Sequence, residues 1–597
     1  MKEQSAGLQN ITAAAVMAPP VLIQLASLTR VKSRAYYPRL LDRMRSKYSA
    51  VNIEPSTMRL PTFYQRPSQR IVRAGASASR EILAGSLTRR VVLGVFLASA
   101  SLDSASEVQS LPDGIVRAAA RDITEARLRA HMAILADDAM EGRGTGTAGF
   151  DRAAAYVADQ FKALQLEPLN GSYLQPLTIR QSRVDEGATT VTITSPRARR
   201  SLVYAKEFVT YGMRGGASTS VEGPLVYLGD GVSAPDRGLD SYRGLDVRGK
   251  IVLVQAGAPT AMNASERSFY GDSTHKIASA ASRGAVGIVI IDAPQIPWEL
   301  RVRAARQLGT SEAIPAKGST AAIPMLYLNR EAATEILGRA LDGPDLQAGM
   351  QVGSARIAVR QSTRDLRSAN VVARIAGSDP ARRNEHVVVV AHLDHVGTGE
   401  PINGDSIYNG AVDNASGVSS LLTMASAFQS AMPRPPRSLI FLATTGEELG
   451  LIGAEYFVDR SDRVPGEIVA AINVDGTSVT PFEHIDVRGG SNSTLGVVAR
   501  AAGHGLDIAV RLETIGVGGS DHSPFLRAGI PVLWVGATLP TGWMNTHYHT
   551  PQDDMRQPLD LNAAASYTRF VFLTTYLVAD ASSRPSWNAG EFFGQRR

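Results

Sequence analysis

Apolar positions along this chain keep three rhythms. From about residue 122 they fall three and four apart. Leu128, Met132 and Leu135 do so in "ITEARLRAHMAILADD", and Ala155, Val157, Phe161 and Leu164 line up in "GFDRAAAYVADQFKALQL". Such spacing predicts two helices, each with one buried face. Between about 200 and 362 the runs shorten to "GPLVYLGDG", "GKIVLVQAG", "AVGIVIID" and "IPMLYLN", with one helix, "STHKIASAASRGA", among them. Short apolar runs parted by Gly, Asp and Pro predict a small β-rich module. After Arg364 come near-continuous apolar strands, "EHVVVVAHLDH", "SLIFLATTGEE", "EIVAAINVDG" and "IPVLWVG". Strands apolar at every position belong in a sheet covered on both faces. The fold class expected is α/β, a mostly parallel mixed sheet with helices on both faces and a smaller β-rich module set into it.

At 597 residues the chain exceeds one compact core. The rhythms divide it into a leader at 1–110, a first part of the main domain at 111–199, the insert at 200–362, and the rest of the main domain at 363–597. No run reaches the roughly 20 apolar residues of a spanning helix, so no stable membrane anchor is expected. The net charge of +6 misleads, because residues 1–91 alone carry +11 and the remainder carries −5. Basicity confined to a leader does not argue for nucleic acid. Within that leader, Arg89-Arg90, an apolar run from Val91 to Leu97, and Ala98-Ser99-Ala100 follow the order of an export signal near 86–105, of twin-arginine type. An exported, periplasmic or secreted protein is expected, with residues 1–85 either a disordered extension or the product of a start assigned too early.

Cysteine is absent, which removes disulfides, thiolate metal sites and Cys nucleophiles. The "GRGTGTAG" segment contains a GxGxxG spacing, but a helix precedes it where a dinucleotide site needs a strand, so it reads as a loop and helix start.

Chemistry collects at the ends of the late strands. "VVVVAHLDH" delivers His392, Asp394 and His395; "FLATTGEE" delivers Glu447 and Glu448; "AAINVDG" delivers Asp475. In open α/β sheets such ends share a rim where ligands bind. "YNGAVDNASGV" adds Asp413 in a turn before a helix, and "NTHYHTPQDD" adds His547, Tyr548 and His549 in a loop. Each residue alone has a plainer reading, as a helix cap, a solvated acid or a turn. Together, His392, Asp413, Glu448, Asp475 and His549 form an imidazole and carboxylate set suited to Zn²⁺, Mn²⁺ or Co²⁺. Five ligands exceed one catalytic zinc and suit two, with one carboxylate bridging. Two such cations also relieve the repulsion between Glu447 and Glu448.

The stretches "AHLDH", "GAVDNASGV", "TTGEELGLIGAEYF", "NVDG", "SDHSPFLRAGIP" and "YHTPQDD" resemble the co-catalytic zinc aminopeptidase family, whose relatives include glutamate carboxypeptidase, glutaminyl cyclase and the transferrin receptor ectodomain. The resemblance covers about 385–555, and the insert resembles a protease-associated domain. It implies peptide substrates and two Zn²⁺ ions, one on His392 and Asp475, the other on Glu448 and His549, with Asp413 between them. It implies that Glu447 is the general base, that Asp394 orients the His392 ring, and that Tyr548 stabilises the tetrahedral intermediate. His395 and His522 exceed the ligand count and read as supporting or substrate-facing groups, whereas His484 and His504 read as structural. Asp405, in a long loop between His392 and Asp413, reads as a turn acid. An aminopeptidase is the expected activity; the alternatives are a glutamate-carboxypeptidase-like or glutaminyl-cyclase-like enzyme, or a non-catalytic binding protein on the same fold, a class marked by lost ligands where this chain has lost none. A glutamate-type carboxypeptidase needs a cation for the substrate carboxylate, and near "GVGGSDHSPF" only Arg527 is offered.

Overall fold

A computed structural model describes residues 112–314, 323–343, 345–461 and 466–596. The leader at 1–110 and its export signal lie outside the described residues. Among the latter, no helix is long and apolar enough to cross a membrane.

The main sheet runs, edge to edge, Thr310–Ile314, Leu174–Val184, Gln361–Ile375, Ser438–Thr444, Glu385–His392, Glu467–Val474, Val532–Val535, His484–Arg488 and Ala509–Glu513. Its centre is parallel: Glu385–His392 pairs in parallel with Ser438–Thr444 on one side and Glu467–Val474 on the other, and Val532–Val535 continues the set. Three carboxyl ends therefore open onto one rim. The unbroken apolar pattern has the expected cause. Val387, Val389 and Ala391 point into one core layer, while Val388 and Val390 point into the other. Helices Asp113–Asp122, Ala148–Ala163, Gly417–Ser430 and Leu561–Asp580 supply the first layer. Phe457, Phe525, Phe592 and Phe593 supply the second.

Leu128, Met132 and Leu135 are buried as the helical spacing requires. In the next helix the inner face is Phe150, Ala153, Ala154, Val157 and Phe161, and Ala155 faces solvent. The buried register runs Phe150, Ala154, Val157 and Phe161, passing through Ala154 where the sequence reading placed Ala155. Thr147 caps this helix by accepting from the Phe150 amide at 3.3 Å, so "GRGTGTAG" is the loop and helix start its sequence indicated.

The smaller sheet is ordered Arg199–Ser201, Thr190–Thr194, Gln351–Val359, Thr219–Tyr227, Ile251–Gln255, Gly287–Ile291, Met325–Leu328 and Phe208–Val209. It thus begins before residue 200, while Thr310–Ile314, from within the insert, pairs with Leu174–Val184 in the main sheet. The reason lies in the connection. Leu174–Val184 leads into the insert and Gln361–Ile375 leads out, and the two pair antiparallel from Val371↔Leu174 to Gln361↔Val184. The seam falls along this shared ribbon. Met262 and Tyr270, from the insert, pack into the second core layer.

Candidate metal centre

His392 is the last residue of its strand, Asp475 follows Val474, and Glu447-Glu448 follow Thr444 after two residues. Gly446 turns the chain with φ +66, and a Cβ there would meet Ile179 at 3.0 Å. The turn is fastened to the neighbouring strand end. The Asp394 carboxylate accepts from the Glu447 amide (3.2 Å), the Glu448 amide (3.4 Å) and the Thr145 hydroxyl (2.8 Å). Asp413 sits in the turn Ala411–Ser416 that opens helix Gly417–Ser430. The Val412 and Asp413 amides donate to the buried Asp553 carboxylate at 2.9 and 3.0 Å. Asn414 ties this turn to the Asp475 strand, donating to Val474 O (3.0 Å) and accepting from Gly476 N (2.9 Å).

These supports bring the five candidate ligands into two groups that share one carboxylate. His392 Nε2 lies 3.2 Å from Asp413 Oδ1 and 3.1 Å from Asp475 Oδ1. His549 Nε2 lies 3.4 Å from Asp413 Oδ2 and 3.0 Å from Glu448 Oε2. Glu447 offers an oxygen within 4.8 Å of the His392 and Glu448 donor atoms and stands half-buried at the edge of the site. The donors fit zinc in kind, and their surroundings fit a cation. Glu448 Oε1 and His549 Nε2 are buried without a hydrogen-bond partner, a costly state for polar atoms unless an ion satisfies them.

The electrostatics agree. Burial works against charge on Asp413, yet the imidazoles of His392 and His549 hold it well below the usual carboxylate range. Burial likewise opposes charge on Glu448, but His549 pulls its carboxyl down to about 2. Against the same penalty, Glu447 and Asp475 push His392 well above the ordinary imidazole value, and Glu448 and Asp413 push His549 up to about 10. Glu447 is driven well above its ordinary value by burial and by Glu448, Asp475 and Asp521.

Two placements differ from the sequence reading. The Asp394 carboxylate does not face the His392 ring; His392 Nδ1 meets the Asp394 backbone oxygen at 3.1 Å. The carboxylate is committed to the two Glu amides, so the side chain of Asp394 positions the Glu pair while its backbone oxygen meets the His392 ring. His395 stands inside the cluster: its Nδ1 is 3.0 Å from Glu448 Oε1. Tyr548 stacks on the His549 ring at 3.8 Å between centroids, and burial followed by the Glu448 and Asp413 charges keeps its hydroxyl protonated.

The remaining candidates lie elsewhere. His547 stacks on Trp543, and His522 stacks on Trp534 while its Nε2 meets Gly516 O at 2.9 Å. His484 contacts Asp486, and His504 is exposed at a helix end. Asp405 accepts from the Ile407 amide within its own hairpin, as a turn acid does. Arg527 is engaged by Asp272 of the insert. Sequence reasoning missed Arg143. Its fully buried guanidinium donates to the carbonyls of Leu135, Leu393, Asn409 and Gly410, bracing the segments that carry His392 and Asp413. A lone arginine in a Gly-rich loop gives no signal of this. Asp553 was visible only as an acid after Pro551.

Residues 370–575 match Peptidase family M28, and residues 221–336 match the PA domain. The chain is 32% identical over 179 residues to leupeptin-inactivating enzyme 1 of Streptomyces exfoliatus, covering 28% of this chain and 36% of that protein. It is 30% identical over 195 residues to aminopeptidase YwaD of Bacillus subtilis, covering 30% and 40%. A glutamate carboxypeptidase 2 homolog of Caenorhabditis elegans is 25% identical over 431 residues, covering 58% and 52%. The matches thus span between about a third and a half of these relatives' lengths. In fold the chain resembles the aminopeptidase from Aneurinibacillus sp. strain AM-1, with a TM-score of 0.51 and 19% identity, over 78% of this chain and 97% of that one.

Proposed function

We propose that this chain, a member of peptidase family M28 with an inserted PA domain, is a two-zinc exopeptidase that removes residues from the amino termini of peptides. The observation that carries the reading is the division of the Asp413 carboxylate, one oxygen toward His392 and the other toward His549. His392, Asp413 and Asp475 would hold one ion, and Asp413, Glu448 and His549 the other. Zinc bound there supplies charge that polarises a scissile carbonyl and brings the pKa of a water toward neutrality; Mn²⁺ or Co²⁺ suits the same donors.

The chain's own groups do the rest. Glu447, at the edge of the site and short of a ligand's place, takes the proton of the attacking water and returns it to the leaving amine nitrogen. Burial and the neighbouring carboxylates raise its affinity for a proton, which supports that role. Tyr548 keeps its proton and donates to the developing oxyanion. The crowded carboxylates favour an approaching α-ammonium. The paired arginines and A-x-A spacing of the leader support export of the mature enzyme.

The test is release of p-nitroaniline from aminoacyl substrates by the zinc-loaded protein, abolished by a chelator and restored by Zn²⁺. A protein inert to every aminoacyl and peptide substrate, with both zinc ions bound, would refute the reading.

One observation favours a second reading, removal of residues from the carboxyl terminus. A cavity of about 280 Å³ is lined by His395 and Glu448 and also by Arg183 and Arg364. Burial and the neighbouring Arg183 charge lower the Arg364 pKa, so the pair would welcome a substrate carboxylate. Mass spectrometry of a digested peptide library separates the two readings by which end is trimmed.

A further inference from the structure

His395 lies at the bottom of its pocket with no exposed side-chain surface, and neither ring nitrogen has a hydrogen-bond partner. A buried imidazole that serves only as support shows the opposite, with at least one N–H donated in good geometry. Here Nδ1 stands 3.0 Å from Glu448 Oε1 and 3.8 Å from Asp413 Oδ2 without forming a hydrogen bond to either. Glu448 Oε1 and His549 Nε2 are unpartnered as well. His395, Asp413, Glu448 and His549 each bring one ligand atom, all within 4.8 Å of one another. Unpartnered donors from three separate chain segments, meeting at one point, describe a coordination shell better than a hydrogen-bond network.

The ring has little freedom to leave. Gly410 backs it so closely that a Cβ there would come within 2.5 Å of His395 Cγ. The His395 amide donates to Arg143 O at 3.3 Å, and the His549 ring crosses it edge-on at 5.5 Å.

We infer that His395 is a fourth protein ligand on the Glu448 and His549 side of the centre. The inference rests on the two-ion reading above and changes its symmetry. One ion would have one imidazole and two carboxylates, the other two imidazoles and two carboxylates. The His395 side is the tighter one, and the His392 side keeps more open positions for water and substrate.

Cobalt tests this without reference to turnover. In wild-type protein loaded with Co²⁺, proton NMR is expected to show about three exchangeable, strongly shifted imidazole N–H signals, one per ligating ring. His395→Asn is expected to lose one of them and to weaken the tighter of two Zn²⁺ affinities by at least about 10-fold, read by competition with a chromophoric chelator. His395→Gln serves where His395→Asn fails to fold, and circular dichroism of the metal-free proteins monitors folding. Two shifted signals in wild type carrying two ions would overturn the assignment while leaving the two-ion centre standing. Uptake of a single ion by wild type would instead remove the centre on which the inference rests.

Discussion

Asp413 addresses two imidazoles at once, Oδ1 standing 3.2 Å from His392 Nε2 and Oδ2 3.4 Å from His549 Nε2. A carboxylate between two rings that face different strand ends is the one element common to both halves of the site. Its place is set by backbone, since the Val412 and Asp413 amides are both held by Asp553. Asp413→Ala is therefore expected to reduce zinc content from two per chain to one or none in elemental analysis. Because bound metal supplies several kcal/mol of transition-state stabilisation, kcat/KM should fall by about 10³-fold or more. Full zinc content in this variant would show that Asp413 is not shared.

Glu447 and Glu448 are neighbours with opposite tendencies, the first driven well above its ordinary pKa and the second down to about 2. Adjacent carboxyls pushed apart in this way mark a division between proton carrier and fixed charge. Glu447→Gln keeps the shape and removes the proposed base. The expected result is a kcat lower by about 10²–10⁴-fold, with zinc content and thermal midpoint at wild-type values. Loss of zinc from this variant would move Glu447 into the ligand set.

Much of this was legible in the sequence. A strand reading "VVVVAH" is apolar at each position because its alternate residues enter two core layers, so burial on both faces and the site at its end follow from one pattern. That His392, Asp413, Glu448, Asp475 and His549 gather at one place could be anticipated because each member ends a strand or occupies a turn. What could not be read were directions. Asp394 lies two residues beyond His392, yet its carboxylate turns to the Glu447 and Glu448 amides, a choice fixed by where the next strand ends. Ala155 faces water because, two residues before Val157, it falls on the far side of the helix from the buried face that runs through Phe150, Ala154, Val157 and Phe161. The insert's edge was obscured by pairing across it, which periodicity along one segment does not encode.

Arg143 is a buried cation whose partners are carbonyls: Leu393 O at 2.9 Å, Leu135 O at 2.6 Å, Asn409 O at 2.5 Å and Gly410 O at 2.8 Å. Burial lowers its pKa to about 10, so it stays charged at neutral pH. Arg143→Met would leave four carbonyls short of a donor, at a cost of about 3 kcal/mol or more. Urea unfolding of the metal-free protein should show that loss as a lower midpoint at unchanged slope. Arg143→Lys restores the charge without the fork and should recover only part of it. Since Leu393 and Gly410 flank the residues that carry His392 and Asp413, both variants should also bind zinc more weakly. A midpoint equal to wild type would show that water replaces the guanidinium.

His386 sits at the other end of the strand that delivers His392, fully buried, with its Nε2 accepting from Arg374 Nε at 3.2 Å. An acceptor nitrogen must be unprotonated, and burial with the Arg374 charge lowers its pKa to about 4. In the unfolded chain the same ring titrates near 6.5, so on acidification the unfolded state takes the proton first. The neutral ring's contribution is complete above pH 6.5 and is lost as pH falls from 6.5 toward 4. At pH 5 the loss is about 2 kcal/mol, at 1.36 kcal/mol per pH unit. His386→Gln keeps an acceptor for Arg374 and cannot titrate. Denaturant unfolding at pH 7 and pH 5 should therefore show the wild type losing about 2 kcal/mol more than this variant. Other buried histidines, including His131 and His522, titrate alike in both proteins and cancel. Parallel losses in the two proteins would mean that His386 is charged in the folded state, and that Arg374 does not donate to it.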